Sequence, residues 1–208
     1  MADAKASICP ATREDIGGLI ELLRLRPPMH WIVKVSDARL AEFLEYAVKS
    51  PRAVLLAARA PGDAKPAGYV LSALDAKRFW FHFGLRKPVA AQAIAVHRLR
   101  RLFELRRRIN RVNSDGGAYA GLPPFAWTAS DPGCARILGI FVRREHRRKG
   151  IAGALYAGLL EEVKARGGRL VEAYLGPDYA RDAGSFPEAC GWDLRRCDSG
   201  GFKVSKSL

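Results

Sequence analysis

A strand-like segment, a basic turn and a helix-like segment follow one another in residues 135–155, and this order constrains the chain more than any other feature. The run Ile137–Val142 is rich in β-branched and aromatic residues, which a buried strand favours. Residues 143–149 are mostly Arg and Lys, and Gly150 follows them. The helical pattern then continues until two glycines at residues 167–168 end it.

This order of elements predicts a binding site for an anion. The first N–H groups of a helix have no acceptor within the helix and lie at the positive end of its dipole. Gly150, Ala152 and Gly153 are too small to keep a phosphate away from the backbone. The basic residues 147–149 add positive charge at the same place. We therefore expect a phosphorylated ligand to bind here.

The same residues resemble the acyl-CoA signature of the GNAT superfamily of N-acetyltransferases. That signature is a Gln/Arg-x-x-Gly-x-Gly/Ala pattern after a hydrophobic strand, and here it corresponds to Val142 followed by residues 147–152. A further strand predicted at Arg169–Leu175 supports the resemblance, since it follows in the family's order. A weaker similarity to the family's Ala-x-x-Leu-Tyr-x-x-x-Gly-Phe segment involves Ala183, Phe186, Cys190, Gly191 and Trp192.

The resemblance covers about residues 135–193 and implies both a fold and a co-substrate. The fold is α/β (α+β), with a mixed, mostly antiparallel sheet flanked by helices, and the co-substrate is acetyl-CoA. The backbone N–H of Val142 would polarise the thioester carbonyl, and N–H groups at the helix N-terminus would bind the pyrophosphate. The cofactor-binding residues so implied are Val142, Arg147, Arg148, Lys149, Gly150, Ile151, Ala152, Gly153 and Ala154.

The catalytic residues of the family are matched only in part. The tyrosine that often serves as general acid aligns with Pro187, and a frequent asparagine aligns with Ala180. The amine must still lose a proton to a base or a water relay, and the departing thiolate benefits from a proton donor. Candidate replacements are Glu172 and Tyr174 on the following predicted strand, and Asp178 and Tyr179 in the loop after it.

The length and composition of the chain limit the classes of protein to which it can belong. The 208 residues are 49% hydrophobic, and we expect residues 1–208 to form a single acyl-CoA N-acyltransferase domain. The N-terminal residues lack the apolar core of a signal peptide, and no apolar run is long enough to span a membrane. The four cysteines show no zinc-binding spacing, so we expect reduced thiols, no metal site and a cytoplasmic location.

The net charge of +14 comes from two segments. Residues 77–111 contain eleven Lys or Arg and one acid, Glu104, whereas residues 143–149 contain five Lys or Arg and one acid, Glu145. A cofactor with several phosphate charges explains the second segment. The first segment requires a different explanation.

The part of the chain before the signature predicts three strands and two helices. They are a strand at residues 6–9, a helix from about Thr12 that ends before Pro27, a helix from Ser36 to Val48, and a hairpin of strands Ala53–Arg59 and Ala67–Ala73. The resemblance implies that the connection between the two helices borders the acceptor site, so that Trp31 either touches substrate or packs in the core.

An insertion of roughly 60 residues separates this hairpin from the signature, and we expect a basic helical insertion at about residues 75–130. It opens with the aromatic segment Phe79–Phe83, and a long amphipathic helix is predicted from Pro88 to about Ile109. The apolar stripe of that helix comprises Leu99, Leu102, Leu105 and Ile109, with Arg100, Arg107 and Arg111 opposite. A loop is predicted from Asn113 to Ser130.

Three interpretations of residues 77–111 stay open. The helix either packs on the sheet with a solvated arginine face, or docks on an anionic membrane surface with the Phe79–Phe83 aromatics as interfacial anchors. In the third interpretation, the helix binds an acidic macromolecule or an anionic acceptor substrate, such as RNA or a nucleotide sugar. Nucleic acid is the least favoured partner, because the arginines do not alternate with exposed aromatics as they do in an RNA-binding sheet.

The function that these features predict is transfer of an acetyl group from acetyl-CoA to a primary amine, by direct attack in a ternary complex. The acceptor is a small amine or amino sugar, or else a protein N-terminus or lysine. The alternative is a catalytically weak CoA-binding protein that serves as a scaffold on a membrane surface through its basic amphipathic helix.

Overall fold

The structure is a computed structural model that describes residues 6–25, 35–96, 133–175, 190–196 and 202–208. The strands are β1 (Ser7–Pro10), β2 (Ala53–Arg59), β3 (Gly68–Ala73), β4 (Cys134–Val142), β5 (Leu170–Leu175), β6 (Asp193–Arg196) and β7 (Phe202–Ser207). The helices are α1 (Ile16–Arg24), α2 (Asp37–Lys49), α3 (Ala76–Arg86), α4 (residues 88–96) and α5 (Ile151–Ala165).

The strands form one seven-stranded sheet in the order β1-β2-β3-β4-β5-β7-β6. Every neighbouring pair is antiparallel except β4 and β5, which are parallel. The parallel pair is possible because α5 connects β4 to β5 and returns the chain to the same end of the sheet. A mixed, mostly antiparallel sheet flanked by helices is therefore confirmed.

The two faces of the sheet are covered by different helices. Alternate residues of each strand point to opposite faces, so Leu55 packs with α1, α2 and α3, whereas Leu56 packs with α5. On the α5 side, the buried helix residues are Ile151, Leu155, Leu159 and Val163, which recur at helical spacing. The first core is thus on the α1/α2/α3 face and the second on the α5 face.

The predicted elements outside the insertion agree with the structure to within about three residues, except that the helix predicted from about Thr12 begins at Ile16, after a short 3-10 turn at Arg13–Asp15. The strand predicted at Ala53–Arg59 coincides with β2, and the helix predicted from Ser36 to Val48 is α2. The signature segment is β4, a turn and α5, followed by β5 as expected. Strands β6 and β7 have no counterpart among the predicted elements.

The insertion differs from its prediction at its start. The aromatic segment belongs to a helix of its own, α3, whose N-terminus is capped by the Asp75 carboxylate that accepts a hydrogen bond from the Arg78 N–H at 2.9 Å. Phe79 and Phe83 are fully buried against α2, where Phe43 contacts both rings. The prediction that these two aromatics are interfacial anchors is therefore wrong; Phe81 is the exposed one.

Helix α4 follows after a short break. Lys87 has non-helical dihedrals (φ −137°, ψ 61°), because the residue before a proline avoids the α conformation. Helical geometry resumes at Pro88 as predicted, and Ala90 and Ile94 are buried in the first core. The predicted apolar stripe, the arginines opposite it, the loop at residues 113–130 and Trp31 lie outside the described residues. None of the described helices is long and apolar enough to cross a membrane.

Candidate active site

Strands β4 and β5 diverge, and the gap between them is the centre of the candidate site. They are paired only from Cys134 to Arg136 on β4 and from Leu170 to Glu172 on β5. Beyond that point β4 continues along β3 as far as Val142, whereas β5 continues along β7. The carboxyl ends of the two parallel strands therefore separate and leave backbone edges unpaired with each other.

A β-bulge on β4 lies just beyond the point where pairing with β5 ends. Leu71 of β3 pairs with Gly139 but its neighbour Ser72 pairs with Ile137, so Leu138 is an extra residue on β4. A bulge bends and twists its strand. It also shifts the alternation of side chains, since Leu138 packs on the α1/α2/α3 face whereas Ile140, two residues further on, packs on the α5 face.

The backbone N–H of Val142 points into this gap. Arg143 donates its N–H to the Ala67 carbonyl at 2.8 Å, and Gly68 is paired with Val142. In an antiparallel ladder this combination makes Gly68 and Val142 a non-hydrogen-bonded pair, so the N–H and C=O of Val142 point away from β3. The carbonyl accepts a hydrogen bond from Arg147 Nε at 3.1 Å.

The turn between β4 and α5 ends in two left-handed residues. Arg148 has φ 61° and Gly150, the N-cap of α5, has φ 76°. The first α-helical hydrogen bond runs from Ala154 N–H to the Gly150 carbonyl at 3.0 Å. Within the described part of the chain, the N–H groups of residues 151–153 consequently have no backbone acceptor, as expected for a helix N-terminus.

Space for a ligand lies above this N-terminus. A Cβ atom placed on Gly150 or Gly153 would meet no heavy atom within 4 Å. Arg148 and Lys149 are exposed beside it, and the Arg147 guanidinium lies 5.5 Å from the centre of the Phe141 ring. Free N–H groups, positive charge and open space together fit the phosphates and extended arm of a CoA-type molecule.

The other basic residues of the turn hold it in place. Arg143 pairs with Glu21 of α1 at 3.2 Å and donates to the Pro66 carbonyl. His146 lies 3.2 Å from Asp63 in the turn between β2 and β3. Glu21 also pairs with Lys65, and hydrogen bonds from Lys65 and then Arg143 lower the pKa of its carboxyl below the ordinary value of 4.5.

Of the catalytic candidates, the structure describes Glu172 fully. Its side chain is 3% exposed and accepts a hydrogen bond at 2.6 Å from Arg136, the residue paired with it on β4. This buried ion pair lies at the last paired position before the strands diverge. Tyr174 lies two residues further along β5, paired with Lys203, and its side chain is outside the described part. Asp178, Tyr179, Ala180 and Pro187 also lie outside the described residues.

Sequence reasoning missed Arg136. A charged residue within the apolar run of β4 was a usable signal, because a buried arginine requires a counter-charge. Pairing it with Glu172 required the register of two strands that are far apart in sequence. Cys190, by contrast, is a half-buried thiol that packs against the α5 core.

Comparisons with known proteins agree with this geometry. The family model of the GNAT acetyltransferases matches residues 18–192. No curated protein matches the chain in sequence. Among solved structures, the PaiA N-acetyltransferase from Thermoplasma acidophilum in complex with coenzyme A superposes with a TM-score of 0.61 at 15% identity, covering 99% of this chain and 100% of that one.

Two further structures are similar over nearly the whole chain. An acetyltransferase from Thermus thermophilus has a TM-score of 0.56 at 14% identity, with 100% of both chains covered. The ribosomal-protein-S18-alanine N-acetyltransferase from Escherichia coli has a TM-score of 0.52 at 13% identity, covering 98% of this chain and 92% of that one. At such identities the structural similarity shows only a shared fold. The family model matches most of the sequence, and this chain therefore belongs to the GNAT acetyltransferase family.

Proposed function

We propose that this protein transfers an acetyl group from acetyl-CoA to a primary amine by direct attack in a ternary complex. One observation carries the proposal: the N–H of Val142 is turned into the gap between β4 and β5, beside the helix N-terminus of α5. The gap can take an extended arm, the helix N-terminus can take phosphates, and an N–H group lies between them where a carbonyl oxygen would be polarised.

Each binding residue has a defined part in this proposal. The N–H groups of residues 151–153, which have no backbone acceptor, hold the pyrophosphate, while the exposed Arg148 and Lys149 attract it from solution. Arg147 fixes the end of β4 through its hydrogen bond to the Val142 carbonyl. The N–H of Val142 stabilises the oxyanion that develops on the thioester carbonyl. Acetyl-CoA itself supplies the activated acetyl group.

The reaction needs two proton transfers. The ammonium loses one proton to a base or a water relay, and its nitrogen then bonds to the acetyl carbon. When the carbon–sulfur bond breaks, the nitrogen gives up its second proton and the departing thiolate takes one up. Tyr174 and Tyr179 remain our candidates for the group that protonates this thiolate. We assign Glu172 a positioning role rather than that of a base, because Arg136 already binds its carboxylate.

The acceptor is proposed only by class. One structural neighbour is named as a ribosomal-protein-S18-alanine N-acetyltransferase, and another as a PaiA N-acetyltransferase. At 13–15% identity neither name transfers to this chain. We favour a small amine or amino sugar over a protein N-terminus or lysine, in a cytoplasmic setting.

A thermal-shift titration with acetyl-CoA, CoA and ATP tests the cofactor. A ligand at a hundred times its dissociation constant adds about 2.7 kcal/mol to the free energy of unfolding, which corresponds to about 5–10 °C in Tm for a chain of this size. We expect this shift with acetyl-CoA and CoA and a much smaller one with ATP. Equal shifts with all three, present only at low salt, would mean that the turn is a generic anion site.

Gly150→Asn and Gly167→Asn form a matched pair for locating the phosphates. Both glycines have nearly the same φ, 76° and 77°, both have open space for a side chain, and they lie at opposite ends of α5. Asparagine tolerates this conformation, so both variants should fold. Only Gly150→Asn should weaken CoA binding, by at least about tenfold. Equal affinities would show that the phosphates bind elsewhere.

Release of free CoA thiol in the presence of an amine panel tests the transfer itself. Tyr174→Phe or Tyr179→Phe should lower kcat while leaving the Kd for CoA unchanged, for whichever tyrosine is the proton donor. If neither variant changes kcat, the proton comes from water or from the substrate.

A second candidate, a CoA-binding protein of weak catalytic power, is favoured by one observation. Of the two carboxylates among the four candidates, Glu172 and Asp178, only Glu172 lies in the described part of the chain, and its carboxylate already binds Arg136. This candidate predicts tight CoA binding in the titration but no thiol release above the uncatalysed rate with any amine.

A further inference from the structure

Among the residues that the structure describes, the exposed large apolar side chains are concentrated on one pair of helices. The described residues include five large hydrophobic side chains that are exposed, and four of them lie on α3 and α4. They are Phe81 (63% exposed), Leu85 (65%), Val89 (54%) and Val96 (38%). Single exposed hydrophobics are common on soluble proteins, but such a concentration on one element marks a site of interaction.

The geometry of α3 explains why these residues are exposed. Phe79 and Phe83 lie four residues apart and are completely buried under the sheet-facing side of the helix. Phe81 and Leu85 are also four residues apart, so they share the opposite side. The helix thus buries one apolar stripe in the core and presents a second one to the outside.

The same helices carry positive charge and no negative charge. Residues 76–96 contain two Lys and two Arg and not a single Asp or Glu. Lys77 and Arg78 are exposed on either side of the outer apolar stripe, and Arg86 is exposed in the last turn of α3. The nearest acid, Asp75, is already used, since its carboxylate caps α3 and pairs with Arg78 at 3.5 Å.

We propose that this outer face of α3 and α4 docks on the surface of an anionic lipid bilayer. We call it the α3 surface; its residues are Lys77, Arg78, Phe81, Leu85, Arg86 and Val89. The apolar side chains enter the boundary between headgroups and acyl chains, and the basic ones contact anionic headgroups. Charge complementarity selects this partner, because apolar area and positive charge occur together on one face.

Two other partners fit the surface less well. A second copy of the chain would bring two sets of unbalanced positive charges together across the interface, which opposes association. A nucleic acid would neutralise the charge and stack on Phe81, but it would leave Leu85 and Val89 without an apolar environment. An anionic bilayer provides both an apolar environment for the hydrophobic side chains and negative charge for the basic ones. Docking does not depend on acetyl transfer, so the two proposals succeed or fail separately.

Vesicle co-sedimentation with the full chain tests the proposal. The probes are phosphatidylcholine vesicles with and without about one third phosphatidylserine. We expect binding to the anionic vesicles that is at least about tenfold stronger than to the neutral ones, and that weakens as salt is added.

Two variant pairs, each with a control, separate the apolar and ionic contributions. Phe81→Ser with Leu85→Ser should reduce binding at least about tenfold, whereas Leu25→Ser, a similarly exposed leucine at the end of α1, should not. Lys77→Glu with Arg86→Glu should also reduce it at least about tenfold. Lys164→Glu is the charge control, since α5 covers the opposite face of the sheet. All changes are at exposed positions, and unchanged melting temperatures would verify folding.

Several results would overturn the proposal. Absence of binding to anionic vesicles rejects it directly. Loss of binding in the charge variant but not in the serine variant would mean that only generic polyanion attraction operates, as would equally tight binding of a single-stranded RNA oligonucleotide. Self-association that disappears in the serine variant would assign the surface to a second copy of the chain instead.

Discussion

Replacing Arg136 by methionine would leave the Glu172 carboxylate buried without this counter-charge, at the position where β4 and β5 begin to separate. In the folded protein the two charged groups are 2.6 Å apart, and their side chains are 11% and 3% exposed. Water can therefore compensate little of the lost interaction. The reverse change, Glu172→Leu, would leave the guanidinium in the same position.

The expected loss for either single change is about 3–5 kcal/mol of unfolding free energy, the usual cost of removing one partner of a buried ion pair. That is a large part of the roughly 5–15 kcal/mol that keeps an ordinary domain folded. The double variant, Arg136→Met with Glu172→Leu, has no buried charge to compensate and should lie within about 1–2 kcal/mol of the parent protein. The coupling energy between the two sites would then be at least about 3 kcal/mol.

Urea denaturation followed by circular dichroism measures all four proteins at pH 7. The single variants should also differ from each other at lower pH. The Glu172 carboxylate stays buried in Arg136→Met and loses its charge when it is protonated, so the stability of this variant relative to the parent should recover as the pH falls. The guanidinium in Glu172→Leu has no such route, because arginine is not deprotonated in proteins. Losses below about 1 kcal/mol, or losses that simply add in the double variant, would refute the ion pair as a buried, coupled unit.

The same four proteins bear on the mechanism. If Glu172 has a positioning role, the double variant should recover CoA binding and much of its turnover together with its stability. If Glu172 is instead the catalytic base, the double variant should be stable and bind CoA but remain inactive.

Three further predictions rest on single side chains. Phe83→Ala should cost about 3–5 kcal/mol of unfolding free energy by urea denaturation, because the ring is fully buried; a loss near zero would contradict the packing of α3. Glu21→Gln should remove a stabilisation that, in the parent, is present above pH 4.5 and disappears as the pH falls through the lowered pKa, so that the two proteins converge in stability once the pH is below that pKa. Arg147→Met should weaken CoA binding about tenfold or more and reduce its salt dependence in calorimetric titrations; unchanged affinity would remove this cation from the binding site.

Local pattern was sufficient to predict the part of the fold that carries the signature. The β-branched run of β4, the small residues at the start of α5 and the glycines after it each act within a few residues, so the sequence displays them directly. The free N–H groups follow from any helix N-terminus, and they were predicted for that reason.

What escaped prediction depends on register and on tertiary packing. The aromatic content of Phe79–Phe83 is typical of a strand, and it concealed the spacing of Ala76, Phe79 and Phe83 that makes one face of a helix. The extra residue Leu138 on β4 is visible only once β3 is aligned with it. The pairing of Arg136 with Glu172 likewise requires strands 36 residues apart in sequence.

The burial of α3 determines what happens when the chain is shortened between β3 and β4. Phe79, Phe83 and Ile94 are at most 2% exposed and belong to the same core as α1 and α2. A direct connection from β3 to β4 would remove the phenyl rings that contact Phe43 and Tyr46. It would leave the apolar surface of the sheet uncovered at that place. Residues 76–96 are therefore part of the first core and not a separate addition to the surface of the domain. A chain without residues 76–96 should be less stable than the parent, because Phe43 and Tyr46 would lose the rings against which they pack.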